Sequence, residues 1–586
     1  MKKITIVLLI VSSMQFSFAQ YGQKAYRIDN INFTNFQKGI ISDKNNFNGQ
    51  PFYVATGYGG LYAGSIFKPF FVKTLFSGYN VNKILYTIKK NGTDVPAYSN
   101  AIAEAPSKYV LAGNLKHPSP LFSHGRDILI IKTDKNGVPS TPVHHIALDT
   151  ISDEAYCIIN SKKNDTKFYT CGYTLSDSLG TVQNELYRPF IMKHNATGSV
   201  VNWVRYFKLP CYQGSQPNSS VAYSVVEDSA TGNVCIAGSI SGSCGGAFLA
   251  KFTQAGNLEW LYIYSALNSL SFFSIKPTEI PREYIITGAC VTPAGGGYKN
   301  LLFRVNTSGT EPVTIFAKAL GASNPDISQV FGYDVCTRVK GQVIEYYVSG
   351  RTDRYYPWGS EGHIYKCDAS GDPVQYMRYK NDTAHKHKYI YLKSIDWIDS
   401  GPYQGLAGFG YYLKHHGPGT PLIGVGWLVK SYFNLVDGCN ETEDSATVET
   451  MVLNKWEYIP DMYTNYTIDT CGVTWTNGMA EEFCWETTVA GGTNSTDELS
   501  AGLTGNSQIH FYPNPASGDI YFNLAHCNSK IHLTVINFLG QQVADKIIDT
   551  NEAGIYSMNV SLLKTGIYKV MLVNDSNIST GTFLKE

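Results

Sequence analysis

A run of β-forming residues that ends in a small residue or Thr, then Gly, recurs seven times. It appears as Val54-Ala55-Thr56-Gly57, Val110-Leu111-Ala112-Gly113, Tyr169-Thr170-Cys171-Gly172 and Cys235-Ile236-Ala237-Gly238. It continues as Ile285-Ile286-Thr287-Gly288, Tyr347-Val348-Ser349-Gly350 and Gly405-Leu406-Ala407-Gly408. Gly57 to Gly408 is 351 residues in six intervals, about 58 each. A fixed period of that length marks a repeated supersecondary unit that buries its faces against its neighbours. A second landmark follows each glycine. An apolar strand ends in Lys or Arg and a Gly comes five residues later, as in Lys132/Gly137, Lys193/Gly198, Lys251/Gly256, Arg304/Gly309 and Lys366/Gly371. Asp134, Asn195, Asn306 and Asp368 stand three residues before that Gly, the signature of a type I turn. Lys73/Gly78 is a weaker copy, and Lys430 has Leu435 where the Gly is expected.

Each repeat reads as four strands, in the third roughly Ala155-Ile159, Lys167-Cys171, Pro189-Lys193 and Val200-Phe207. Four antiparallel strands repeated seven times predict an all-β chain whose body, 20–440, is a seven-bladed β-propeller; two stacked β-sandwiches are the alternative. Composition agrees. Tyr is abundant at 41 and Gly at 54, and charged residues are only 16%, a balance that suits an extracellular all-β protein. Lys plus Arg equals Asp plus Glu at 47 each, which argues against broad electrostatic binding to nucleic acid or anionic membrane. Trp203 and Trp260 fall at matching places in consecutive repeats and read as packing between blades. The recurring Lys reads as structural, its stem covering apolar surface. Either Tyr26-Phe33 or Thr447-Leu453 supplies the strand that closes the ring.

The two ends read differently from the body. Lys2 and Lys3 precede an apolar run, Ile4 to Val11, and Ser17-Phe18-Ala19 offers small residues at a cleavage site. Residues 1–19 are therefore expected to be a secretory signal peptide cut after Ala19. No other apolar stretch reaches the about 20 residues that span a bilayer, so no transmembrane segment is expected in the mature chain. From about residue 508, short strand-like runs at Ile509-Tyr512, Ile520-Leu524, Ile531-Asn537, Ile555-Val560 and Ile567-Val573, separated by turn signals, predict a small Ig-like β-sandwich over 508–586.

That C-terminal segment resembles the C-terminal (type A) sorting domain of Bacteroidetes type IX secretion cargo. Tyr512-Pro513-Asn514-Pro515 is similar to its leading motif. Leu533 to Asn537 with Phe538-Leu539-Gly540-Gln541-Gln542-Val543 is similar to its middle motif. Leu563-Lys564-Thr565-Gly566-Ile567-Tyr568 and Phe583-Leu584-Lys585-Glu586 are similar to its closing motifs. The resemblance implies export by the type IX translocon, removal of the domain by a sortase, and release or attachment at the outer-membrane cell surface. The body resembles secreted propeller-like repeat proteins.

Residues 441–507 read as a linker, and Gly491-Gly492-Thr493-Asn494-Ser495-Thr496 gives it flexible composition. Twelve cysteines behind a signal peptide fit an oxidising destination. Asn477-Gly478 is a hairpin turn with Cys471 and Cys484 each six residues away, so a disulfide-bonded hairpin is expected there. Cys157 with Cys171 and Cys211 with Cys244 are further pairs. Gly242-Ser243-Cys244-Gly245-Gly246 spells a nucleophile elbow, but a strand rather than a helix is expected after it. The histidines His144/His145, His385/His387 and His415/His416 make no two-ligand site by themselves. Asp437, Glu441, Glu443 and Asp444 read as a solvated acidic loop rather than a calcium site.

No catalytic residue, cofactor or metal ligand is assigned from the sequence. The body is expected to be a surface or secreted binding protein for a glycan or protein partner, since aromatic, low-charge surfaces suit sugar stacking. The alternatives are a hydrolase or lyase working in the propeller channel and a structural surface component. Convergent titratable groups on the channel favour the enzyme, and apolar filling favours the other two.

Overall fold

The computed structural model describes residues 22–28, 33–42, 51–60, 66–75, 80–116, 125–148, 152–177, 185–211, 214–241, 245–266, 269–292, 297–354, 359–379, 389–398, 405–415, 422–431, 433, 435, 441–477, 479–483, 516, 518–524, 530–537, 542–549, 554–574 and 577–585. All of its regular structure is strand, with no helix among the described residues. The chain divides into two compact bodies, Met1–Thr487 and Thr488–Glu586.

In the first body each of the first six sequence repeats is an antiparallel run of four strands in chain order, and the seventh supplies three. The first strands of the seven repeats are Phe33–Ser42, Ala97–Ala105, Ser152–Asn160, Ser220–Glu227, Ser269–Pro277, Ile327–Lys340 and Tyr389–Ile398. Each packs beside the first strand of the next repeat, and the seventh packs beside the first. The cores follow the same cycle. Phe272 and Phe303 of repeat 5 join Tyr264 and Trp260 of repeat 4 in one cluster. Phe36, Phe70 and Tyr53 of repeat 1 join Phe409 and Leu428 of repeat 7 in another. Each sheet therefore buries both faces, which is why its strands read as near-continuous apolar runs. The fourth strand of repeat 7 comes from the N-terminus: Gly22–Ile28 pairs antiparallel with Leu422–Ser431. The closing strand thus lies at Gly22–Ile28, and Phe33 already belongs to repeat 1.

The second landmark is a docking device between neighbours. Gly137, Gly198, Gly256 and Gly371 adopt φ of 85°, 76°, 85° and 79°, the left-handed region that glycine enters without penalty. A Cβ on Gly256 would lie 2.6 Å from the Trp203 ring of the preceding repeat, and Trp203 Nε1 donates to Gln254 O at 3.1 Å. Trp203 and Trp260 are buried between sheets, as the sequence predicts. The recurring Lys reaches the turn of the next repeat: Lys73 Nζ donates to Lys135 O at 3.0 Å and Lys251 Nζ to Thr307 O at 3.2 Å.

The reading of 441–507 as a linker is corrected for its first part. Residues 441–483 run back around the body and add an outer fifth strand to the sheets in reverse order. Glu441–Asp444 pairs with repeat 6, Ala446–Thr450 with repeat 5, Asn454–Glu457 with repeat 4 and Met462–Tyr463 with repeat 3. In Thr467–Asn477, residues 467–471 pair with repeat 2 and 472–477 with repeat 1. Met479–Phe483 then covers Gly22–Ile28. The expected hairpin across Asn477-Gly478 does not form, because its two arms pair with different sheets. Exposed strand edges offer unpaired backbone groups, and this belt satisfies them.

The second body has two sheets around one core. Asp519–Leu524 pairs with Gly554–Asn559, and a four-stranded sheet runs Gln542–Asp549, Lys530–Asn537, Gly566–Asn574, Asn577–Lys585. Ile520, Phe522, Leu533, Val535, Val570 and Phe583 fill the space between them.

Candidate functional site

The first landmark glycine explains the inner surface of the body. On every first strand the register with the second strand slips by one residue at the same place, a β-bulge. The extra residues are Gln37, Asn100, Tyr156, Tyr223, Phe273, Tyr333 and Lys393. The residue before each bulge faces the landmark glycine, for example Phe272 opposite Gly288. There the backbones approach so closely that a Cβ on Gly288 would sit 1.8 Å from Ser271 O, and one on Gly350 1.8 Å from Phe331 O. In repeat 7 the residue in this position is Gly410, whose Cβ would meet Tyr391 O at 1.7 Å, rather than the expected Gly408. An isolated glycine inside a strand pattern signals such an approach. That glycine is the signal in the sequence for the seven bulge residues, which otherwise read as ordinary strand residues.

A bulge re-aims the side chain it carries, and here it sets the extra residues in a chain from repeat to repeat. Tyr156 and Tyr223 have ring centroids 5.3 Å apart, Tyr223 and Phe273 5.3 Å, and Phe273 and Tyr333 6.0 Å. Lys393 Nζ lies 3.9 Å from the Tyr333 ring centre. Asn100 donates to Glu154 Oε1 at 3.1 Å and to Ala155 O at 3.0 Å. The aromatic members are half-buried. Toward the N-terminal ends of the first strands, Tyr391 stacks on Tyr411 at 4.7 Å. Glu154 there accepts from Arg126 Nη1 at 2.8 Å and from the Tyr173 hydroxyl at 2.9 Å.

The residues just after the bulges form a second layer: Lys38, Ala101, Cys157, Ser224, Ser274, Asp334 and Ser394. Asp334 is its hub. It accepts from Lys38 Nζ, from Ser274 Oγ at 2.6 Å, from Ser394 Oγ at 3.1 Å and from Ile395 N at 3.2 Å, with Lys276 Nζ 3.8 Å away. Burial pushes the Asp334 carboxyl up, but Lys276 and Lys38, with the hydrogen bonds from Lys38 and Ser274, outweigh it and hold the group well below the usual carboxylate range. Cys157 lies opposite Cys171 in register. The Cys171 thiol donates to it and Lys276 and Lys38 favour its thiolate, so against burial its thiol is pulled down to about 6. Burial pushes Cys171 the other way.

A separate cluster fastens the belt. His145 Nδ1 is 2.7 Å from Asp127 Oδ2 and its Nε2 is 3.3 Å from Asp469 Oδ2. Burial opposes the imidazolium, but hydrogen bonds to Asp127 and Cys471 win and raise His145 to about 9. Cys471, His145 and Asp127 are the residue types of a nucleophile, base and orienting acid. Both Cys471 and His145 are 3% exposed, so the set is closed to substrate and serves as a clasp. Cys484, Ala19, His385, His387, His416, Asp437 and the residues 242–244 lie outside the described residues. Ala247 to Lys251 falls in the strand Gly246–Phe252, as expected. Glu443 is exposed and Asp444 pairs with Arg378 Nη2 at 3.2 Å, beside an open depression of about 550 Å³ at the outer edge of repeat 6. Among the described residues no group of three or more His, Cys, Asp or Glu is placed to hold a metal.

In the second body, Tyr568 stacks on Phe583 at 5.5 Å and its hydroxyl donates to Lys564 O at 2.7 Å. Gly566 pairs with Lys585, and Ala516 N donates to Leu584 O at 2.8 Å. The closing motifs thus form adjacent strands of one sheet, and the residue after Tyr512, Pro513, Asn514 and Pro515 docks on the last strand. Those four residues and Gly540 lie outside the described residues. The sequence of 510–586 matches the family model of the secretion system C-terminal sorting domain.

Residues 510–586 are a type IX sorting domain. The sorting domain makes the chain a cargo of the type IX machinery, exported to the cell surface or beyond. No helix among the described residues is long and apolar enough to cross a membrane. No curated protein matches the chain. Among solved structures, a subtype N11 neuraminidase-like protein of a flat-faced bat isolate from Peru is 10% identical, with 69% of this chain and 90% of that chain covered, at a TM-score of 0.30. At that score the likeness carries no argument about fold or activity.

Proposed function

We propose that the chain is an exported binding protein whose body is a seven-bladed β-propeller that takes a glycan or a protein segment at its axis. Residues 1–19 act as a signal peptide cut after Ala19. The sorting domain, an Ig-like sandwich, hands the chain to the translocon and its sortase, which cleaves after the belt, within 490–507. The observation that carries the binding reading is the run of bulge aromatics Tyr156, Tyr223, Phe273 and Tyr333. Half-buried rings at the inner ends of successive sheets offer the flat apolar faces on which sugar rings and amphipathic side chains stack. The test is titration of the purified body with oligosaccharides. Tyr223→Ala and Phe273→Ala are each expected to weaken binding about tenfold or more while the melting temperature holds. Equal affinity in both variants would remove the ring from the site. For export, deletion of 508–586 is expected to leave the protein inside the outer membrane in blots of culture fractions.

A second reading, a hydrolase or lyase at the same axis, is favoured by the convergence of Lys38 and Lys276 on Asp334, with the Cys157 thiol near the same two lysines. Against it, four donors already occupy Asp334, and a carboxylate so engaged is a poor proton carrier. Loss of a hydrolytic or eliminative activity in Cys157→Ser would support this reading.

A further inference from the structure

We infer that the axial site is built for an anionic saccharide, one bearing carboxylate or sulfate groups, with Lys393 as the residue that engages the charged group. This rests on the binding reading above and narrows it. Lys393 is the charged member of the seven bulge residues, and its ammonium lies over Tyr333 at 3.9 Å and over Tyr391 at 5.4 Å. Among the described residues no carboxylate pairs with it. The neighbouring cations differ. Arg351 Nη2 donates to Asp353 Oδ2 at 2.8 Å, and Arg126 is bonded to Glu154. The titratable and charged groups around Lys393 are Arg351 and Asp353 of repeat 6, with Tyr333, Tyr391 and Tyr411. One acid faces two cations there, so the site carries surplus positive charge.

The Arg351 guanidinium stands between the Phe331 and Tyr391 rings, at 4.7 and 5.0 Å from their centres, and is bonded to Asp353 and Tyr391. It adds positive charge beside Lys393 without being a free donor. The site therefore presents stacked rings for the sugar face beside the Lys393 ammonium for its anion. A neutral saccharide would use the rings and leave the charge uncompensated. An anionic one would form charge-assisted hydrogen bonds in a partly water-excluded place, where they are strongest.

The experiment is calorimetric titration of the purified exported body with three probes of matched length: an oligogalacturonate, a sulfated carrageenan oligosaccharide and a neutral cello-oligosaccharide. At least one anionic probe is expected to bind tenfold or more tighter than the neutral one. Lys393→Gln should bring that probe down to the neutral probe's affinity, and Lys393→Arg should keep the preference. Burial and the nearby Arg351 pull the Lys393 ammonium down to about 8, so in the wild type the preference fades as pH rises from 7 to 9, and in Lys393→Arg it persists. Carboxylate and sulfate probes separate the two sources of the anion. Equal affinity for anionic and neutral probes, or a preference that survives Lys393→Gln, overturns the inference while the ring reading stands. Failure of every probe to bind overturns both. Melting curves identify a variant that has lost its fold, and Lys393→Arg then carries the test through its pH profile.

Discussion

The clasp between His145 and the belt makes a specific claim about pH. His145 pairs in register with Asp469, a residue 324 positions later in the chain, and its ring lies between Asp127 and Asp469. Its folded value is raised from 6.5 to about 9. A raised value means that the folded state holds the proton more tightly than the unfolded chain. The resulting stability is fully present below about pH 6.5 and is lost as pH rises through about 9. Each tenfold in proton affinity is worth about 1.4 kcal/mol, so the rise corresponds to about 3 kcal/mol at most. Asp127 sits on the neighbouring strand of the same repeat and keeps its hold on His145 when the belt opens, and the belt's Asp469 side chain is 61% exposed and screened, so the share that fastens the belt is about 1–2 kcal/mol. The readout is hydrogen exchange of the segment 467–471, corrected for the intrinsic pH dependence of amide exchange. In the wild type its protection should fall roughly five- to thirtyfold between pH 6 and pH 9.5. In His145→Gln it should already be low at pH 6 and change little further. The same pH-dependent fall in both proteins would refute the clasp.

Three further outcomes test the inner layers. Asp334→Ala leaves Lys38 and Lys276 facing each other without their acid, and should cost on the order of 3–5 kcal/mol in urea unfolding; a loss under about 1 kcal/mol would show that the hub holds nothing together. Gly410→Ala drives a Cβ to 1.7 Å from Tyr391 O, whereas on Gly408 it meets Leu392 Cδ2 at 3.3 Å. The first should destabilise by more than about 2 kcal/mol and the second far less, and equal melting temperatures would contradict the bulge geometry. Cys157 and Cys171 are both free thiols here and stand opposite each other on adjacent antiparallel strands, where Cα atoms lie about 4.5–5.5 Å apart, so oxidation outside the cell is expected to join them. In protein recovered from outside the cell, intact mass without reduction should be lower by two hydrogens in a peptide pair linking them. Free thiols at both positions would exclude the bond.

The period of the repeat, its four strands and its turns were legible from the residues alone, because each is a local matter of φ preference and side-chain alternation. Asp134 with Gly137 or Asn195 with Gly198 encodes its turn within four residues, and the sorting motifs are equally local in sequence. The inner surface was not legible. A bulge is one residue of mismatch between two strands and shows only when they are paired, so Tyr156, Tyr223, Phe273 and Lys393 looked like ordinary strand residues and Gly408 stood in for Gly410. The belt was hidden for a related reason. Its short segments join the sheets by backbone hydrogen bonds at exposed edges, which impose little side-chain pattern, so 441–483 read as linker. Its partners lie from 62 (Tyr379 with Glu441) to 459 (Lys24 with Phe483) residues away, and Asp334 meets Lys38, 296 residues distant, only because the last repeats pack beside the first. Sequence determined what each repeat would become; the closing of repeat 7 on repeat 1 decided which side chains would meet.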